Sequence, residues 1–155
     1  MYYFDTSAIV KAFHKEEGSN AVETLFTEDY AGNYISQLTH TEFCSTLYKK
    51  LHTKEIKDKT DVIKVLRRFD AAIQYTNVIS IDDITFSEAR RLMAKWALPP
   101  YKLRTLDALH LGCFIELNQS DQFTLITCDE ELYRIVTAME CKVINPVNYN
   151  NGAKG

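Results

Sequence analysis

Met1-Tyr-Tyr-Phe-Asp-Thr-Ser-Ala-Ile-Val-Lys-Ala-Phe13 decides how the rest of the chain is read. Three bulky β-formers, Tyr2, Tyr3 and Phe4, run without alternation into an acid. That pattern predicts a short strand covered on both faces, as in the middle of a parallel sheet. Asp5 ends the strand, Thr6 or Ser7 is placed to cap a helix, and an apolar run at helical spacing follows. In an open α/β sheet the carboxyl ends of the strands face the crevice where ligands bind. Asp5 stands either at the mouth of such a site or simply as a helix N-cap. This stretch alone does not choose between the two.

Strand and helix patterns alternate outward from there. The first helix is expected over residues 6–13 and a second over 19–27, with Ala21, Val22, Leu25 and Phe26 on one face. After a turn at Asp29 to Asn33, Tyr34-Ile35-Ser36 reads as a strand. A helix follows from Leu38, with Thr39 or Thr41 as cap, Glu42 in its first turn, and Phe43, Leu47 and Leu51 as an apolar stripe. A basic helical hairpin over 49–68 turns Val62, Val65, Leu66 and Phe69 inward. Residues 78–81 form a third strand, and Asp82 or Asp83 starts a helix reaching Trp96 before Pro99-Pro100 interrupts. Residues 105–117 make an apolar helix with Asp107 near its beginning. Residues 123–127 are a strand delivering Cys128 and Asp129 to a helix carrying Leu132, Ile135 and Val136, and residues 141–144 are the last strand. The order β-α-α-β-α-α-β-α-α-β-α-β predicts a three-layer α/β/α sandwich with a mostly parallel central sheet. One domain over 1–147 and a polar, frayed tail over 148–155 are expected.

Composition narrows the function classes. An apolar fraction of 46% and a charged fraction of 25% belong to an ordinary globular chain with a substantial core. No apolar run approaches the length of a membrane span, and no signal-peptide pattern opens the chain, so a cytoplasmic location without membrane contact is expected. Cys44, Cys113, Cys128 and Cys141 are widely spaced with no C-x-x-C, which argues against a zinc site or a disulfide framework. The net charge of −3 does not by itself announce nucleic acid, but its distribution is uneven. Residues 49–104 hold 13 of the 18 basic side chains against 7 acids, and the remainder holds 5 against 14. A basic face beside an acidic site would give this asymmetry, as would a solvated helix surface.

Asp5, Glu42, Asp107 and Asp129 each fall at or just inside an expected helix start. In a parallel sheet those junctions share one edge, so the four acids converge if the sheet is parallel. Two unit charges about 6 Å apart at an effective dielectric of ~20 repel by about 3 kcal/mol before screening. Such a cluster calls for a cation among the acids, and hard oxygen donors select Mg²⁺ or Mn²⁺. Taken singly, each acid is equally well read as a helix cap. Arg104, three residues before Asp107, is placed to contact a phosphate or to order the acids. His40 and His110 flank the acids and read as satisfied structural residues.

The pieces Tyr3-Phe-Asp-Thr-Ser-Ala-Ile-Val10, Ser36-Gln-Leu-Thr-His-Thr-Glu-Phe43, Leu103-Arg-Thr-Leu-Asp-Ala-Leu-His-Leu111 and Ile126-Thr-Cys-Asp-Glu-Glu-Leu132 together resemble a PIN-domain nuclease of the VapC toxin type. The resemblance spans about residues 1–146. It implies that Asp5, Glu42, Asp107 and Asp129 are both the catalytic residues and the ligands of a divalent metal, with Thr127 and Thr6 or Ser7 as supporting hydroxyls. It also implies an RNA substrate, a homodimer and a cognate antitoxin. Val22, Leu25 and Phe26 read as more apolar surface than one small core needs, in keeping with a dimer. Lys49, Lys50, Lys54 and Lys57 on the basic hairpin would contact RNA or a protein partner. A Mg²⁺-dependent endoribonuclease toxin is the leading reading. A housekeeping RNA-processing PIN nuclease and an inactive PIN-fold binding module are the alternatives. A phosphoryl-accepting receiver domain wants paired acids after the first strand, and a haloacid-dehalogenase-like phosphatase wants Asp-x-Asp there. This chain has Asp5-Thr6-Ser7.

Overall fold

Tyr3 and Phe4 are both fully buried, and they point into different cores on opposite faces of one sheet. The computed structural model describes residues 1–16 and 18–149, so the end of the tail expected to fray, residues 150–155, lies outside the described residues. Strand β1 (Tyr2–Phe4) pairs in parallel with β2 (Asn33–Ser36) on one side and β4 (Thr124–Ile126) on the other. β3 (Asn77–Ile79) lies outside β2 and β5 (Val143–Ile144) outside β4, both parallel, in the order β3-β2-β1-β4-β5. The sheet is therefore parallel throughout. Its strand order reverses at β1, which places the crevice beside the carboxyl ends of β1 and β4.

Helices cover both faces, as the period-2 alternation of the strands requires. Phe4, Ile35, Ile126 and Ile144 face α1 (Thr6–Phe13), α2 (Ser19–Glu28), α3 (Leu38–His52) and α4 (Lys59–Ile73). Tyr3, Tyr34, Leu125 and Val143 face α5 (Asp83–Trp96), α6 (Thr105–Leu117) and α7 (Glu130–Ala138). A short helix, α8 (Pro146–Tyr149), follows β5. The first of these cores is built on edge-to-face aromatic contacts, with Phe13 within 5.6 Å of both Phe26 and Phe69 between ring centroids.

Several local expectations need correction. β3 begins at Asn77 and ends at Ile79, not at Ile81, because the Asp82 carboxylate already caps α5 in a capping box with Thr85. β4 and β5 are likewise shorter than the apolar runs that contain them. Neither Thr39 nor Thr41 caps α3. Thr39 is buried, and the Leu38 amide instead donates to the Ser36 hydroxyl at 3.2 Å. Glu42 consequently sits in the second turn of α3, not the first. Val22 and Phe26 are fully buried against their own core, so they leave no surplus surface for a dimer.

α5 and α6 pack closely because α6 carries Gly112 where they meet. A Cβ at Gly112 would stand 2.9 Å from the Thr85 carbonyl oxygen, a backbone atom that cannot step aside. Gly112→Ala should therefore lower the melting temperature, overpacking by about 1–3 kcal/mol outweighing the ~1 kcal/mol gain in helix propensity. Thermal denaturation checks this. A variant as stable as the parent would mean that α5 and α6 can move apart freely.

Candidate active site

Asp5 leaves the end of β1 with its amide still donating to the Ile126 carbonyl at 3.1 Å, so it is locked to β4 before α1 begins. Its side chain is only 5% exposed. One carboxylate oxygen accepts from the Ser7 hydroxyl at 2.7 Å and the Ala8 amide at 2.9 Å, and the other accepts from the Thr127 hydroxyl at 2.8 Å. Asp5 itself is thus the cap of α1, in place of Thr6 or Ser7. The two hydroxyls are employed twice. Ser7 also accepts from the Cys128 amide at 2.8 Å and Thr127 from the Asp129 amide at 3.0 Å. The start of α1 and the turn after β4 are stitched together through one buried carboxylate. The cap and the cavity-facing acid are the same residue.

The other acids arrive from three helices. Asp129 caps α7 through the Leu132 amide at 2.9 Å. Asp107 stands in the first turn of α6. Glu42, from α3, accepts from the Thr6 hydroxyl at 2.5 Å and from His110 Nε2 at 2.6 Å. All four acids line one cavity of about 330 Å³, together with Thr6, Ser7 and Arg104. Arg104 bridges two of them, its Nε donating to Asp107 at 2.8 Å and its Nη2 to Asp129 at 2.8 Å. Its side chain is 64% exposed, so the bridge is reached by solvent.

His110 was read from the sequence as structural, and its geometry ties it to the cavity. It is buried in α6, with Nε2 on Glu42 and Nδ1 3.2 Å from the Tyr3 hydroxyl. Because a carboxylate can only accept, Nε2 carries the proton toward Glu42, and Nδ1 can accept from Tyr3. The signal was present in the sequence: a histidine in a helix buried on nearly every side must find partners within the protein. What the sequence could not name was the partner. His40, by contrast, is exposed, with its ring 5.7 Å from that of Phe69.

Of the four lysines expected on the basic hairpin, Lys50 lines the cavity, while Lys49, Lys54 and Lys57 are exposed and do not. Lys11 and Glu16, unremarked in the sequence, do line it.

The charges respond to burial more than to one another. Burial pushes the Asp5 carboxyl above the usual carboxylate range, against the pull of its donors and of His110. Asp107 is raised as well, first by burial and in part by Asp129, with Arg104 opposing. Mutual repulsion, the expected source of such shifts, is a secondary cause. Burial also works against the Glu42 carboxylate, but the His110 and Thr6 hydrogen bonds outweigh it and hold the group low. The Cys128 thiol in the same cavity is pushed up to about 12 by burial and by the Asp5 charge, so in the metal-free protein it stays protonated.

The donors that remain are hard carboxylate oxygens, a set suited to Mg²⁺ or Mn²⁺. Among the described residues no three acids, histidines or cysteines stand close enough to grip one ion as they are. The Arg104 guanidinium supplies positive charge between Asp107 and Asp129.

The PIN domain family matches residues 2–137. The chain belongs to the PIN-domain family. Its members are generally nucleases. The chain is similar in structure to a toxin–antitoxin complex from Klebsiella pneumoniae, with a TM-score of 0.62 and 20% identity over 94% of this chain and 98% of that one. VapBC2 from Rickettsia felis, bound to a DNA fragment from its promoter, gives a TM-score of 0.64 and 20% identity over the same shares. FitAcB from Neisseria gonorrhoeae gives 0.68 and 13%, again over 94% and 98%. At these identities the likeness speaks for the fold. No curated protein sequence is similar enough to count as a relative. No helix among the described residues is long and apolar enough to cross a membrane.

The raised Asp5 carboxyl yields a signed prediction. A group whose folded pKa lies above its unfolded value contributes stability that is fully present below the unfolded pKa, near 4, and lost as pH rises through the folded one. Asp5→Asn, which removes the buried charge and keeps the shape, should stabilise the metal-free protein at pH 7 by about 1 kcal/mol. The gain should fade toward pH 4. Melting curves in EDTA across that range test it, and a variant less stable than the parent at pH 7 would contradict it.

Proposed function

We propose that the chain is a divalent-metal-dependent endoribonuclease and the toxin of a toxin–antitoxin pair. The observation that carries the reading is the gathering of Asp5, Glu42, Asp107 and Asp129, three from element junctions and Glu42 from the second turn of α3, around one cavity that also receives Arg104. Asp5, Glu42, Asp107 and Asp129 would hold the ion. Bound there, Mg²⁺ or Mn²⁺ supplies Lewis acidity, which makes water nucleophilic at neutral pH and offsets the charge that builds on a phosphodiester under attack.

The chain's own residues then have distinct tasks. Asp5 is the fixed point, because three donors and a backbone bond hold it. Glu42 is kept ionised and oriented by His110 and Thr6. Arg104, with one side open to solvent, would exchange its carboxylates for a phosphate oxygen when substrate and metal arrive. Thr127 and Ser7 keep the β1 and β4 ends in register beneath the reacting groups.

The toxin reading draws support from solved relatives of the same fold that are themselves toxin–antitoxin complexes. An antitoxin segment would insert near the acidic cavity, where Lys11, Lys50 and Arg104 offer it charged contacts. A homodimer belongs to the same proposal, although Val22 and Phe26 are not the residues that would form it.

Purified protein should cleave single-stranded RNA in Mg²⁺ or Mn²⁺ and stop in EDTA. Glu42→Gln, Asp107→Asn and Asp129→Asn should each slow cleavage by about 100-fold or more while remaining folded. His110→Ala should instead raise the metal concentration needed for half-maximal rate by roughly tenfold, the usual cost of losing a group that orients a ligand. Undiminished cleavage in EDTA would overturn the metal mechanism.

A further inference from the structure

Lys11 and Lys50 line the acidic cavity, but further along the same two helices that bring in Asp5 and Glu42. At about 1.5 Å of rise per residue, Lys11 lies roughly 9 Å beyond Asp5 along α1, and Lys50 roughly 12 Å beyond Glu42 along α3. The cavity therefore has an acidic end and a cationic end. Their separation is about three steps of a stacked strand at ~3.4 Å of rise each.

The cationic end is built around one carboxylate. Glu16 offers one oxygen to Lys11 Nζ at 3.2 Å and the other to Lys50 Nζ at 3.1 Å. The two lysine side chains are only 18% and 14% exposed, and Glu16 itself is 29% exposed. From outside the cavity lining, the more exposed Glu55 also reaches Lys50, at 2.8 Å. Burial works against the Lys50 ammonium, but Glu55 and Glu16 hold its pKa above the ordinary value. Two ammonium groups, one on each oxygen of a single anion, is also the arrangement that fits the two non-bridging oxygens of a phosphodiester.

We propose that Lys11 and Lys50 form a subsite for a nucleic-acid phosphate a few nucleotides from the bond to be cut, and that Glu16 is its built-in competitor, displaced from the lysines when the strand binds. The identity of the ligand rests on the nuclease reading of the acidic end. The placement of the subsite rests on the lysines and on Glu16. Glu16 would also limit indiscriminate binding: a strand must offer a phosphate at this distance from the acidic end to displace it.

The test is the affinity for a short fluorescein-labelled single-stranded RNA, measured by anisotropy in EDTA at several salt concentrations, with folding followed by melting temperature. Glu16→Gln should tighten binding by about threefold, the scale of one partly exposed ion pair removed from competition. Lys50→Met and Lys11→Met, which keep the apolar stems, should each weaken binding and reduce the slope of log affinity against log salt by about 0.7. Adding Lys50→Met to Glu16→Gln should abolish the tightening. If Glu16→Gln weakens binding or leaves it unchanged, or if the lysine variants leave the salt slope intact, Glu16 is only a brace between α1 and α3 and the proposal falls. Cleavage of the same RNA in Mg²⁺ is scored separately. The predicted binding pattern without any cleavage would sink the nuclease reading and leave the phosphate subsite standing. Cleavage with unaltered affinities would do the reverse.

Discussion

The Asp5 carboxylate, buried and bonded to Ser7, Ala8 and Thr127, is the interaction on which the rest of the site depends. A buried charge is costly unless its oxygens are met by donors, and here the donors come from two different strand ends. Meeting that cost fixes the register of β1 against β4, and the register in turn places Asp129 and the start of α7. A three-residue strand has little else to hold its end in place. The shortness of β1 is tolerable because Tyr3 and Phe4 are wholly buried between two helical layers.

From that fixed point the fold produces a cavity of opposed character. Helix starts deliver Asp107 and Asp129 where backbone amides favour negative charge, and the apolar body of α6 buries His110 against Glu42. Further along α1 and α3, Lys11 and Lys50 bring the opposite charge to the same cavity. Arg104 and Glu16 act as internal counter-ions at the two ends, each satisfying the groups that a metal or a phosphate would otherwise meet.

The order and type of the elements were legible in the sequence because each follows from a local pattern: unbroken β-formers for strands buried on both faces, and i, i+3, i+4 stripes for the helices. Element ends were less legible. Caps are decided by contacts such as the Ser36 hydroxyl with the Leu38 amide, and propensity ranks Thr39 and Thr41 equally well there. The four acids stand out in the sequence because they fall near expected helix starts, although Glu42 lies one turn deeper than its spacing suggested. His110 and Glu42 are 68 residues apart, and Glu16 and Lys50 are 34 apart. No periodicity links such pairs, so only the folded chain shows them as partners. The basic run over 49–68 illustrates the converse: a charge block visible in sequence contributes one cavity residue, Lys50, and otherwise a solvated surface.

The central claim is that the four carboxylates form one cation site. Crystals grown without metal and soaked in MnCl₂ test it most directly through anomalous scattering from manganese. The account predicts an anomalous peak within the cavity, bounded by Asp5, Glu42, Asp107 and Asp129, with the Arg104 side chain displaced from its two carboxylates. A soaked crystal with Arg104 still bridging Asp107 and Asp129, and with manganese elsewhere or nowhere, would contradict it.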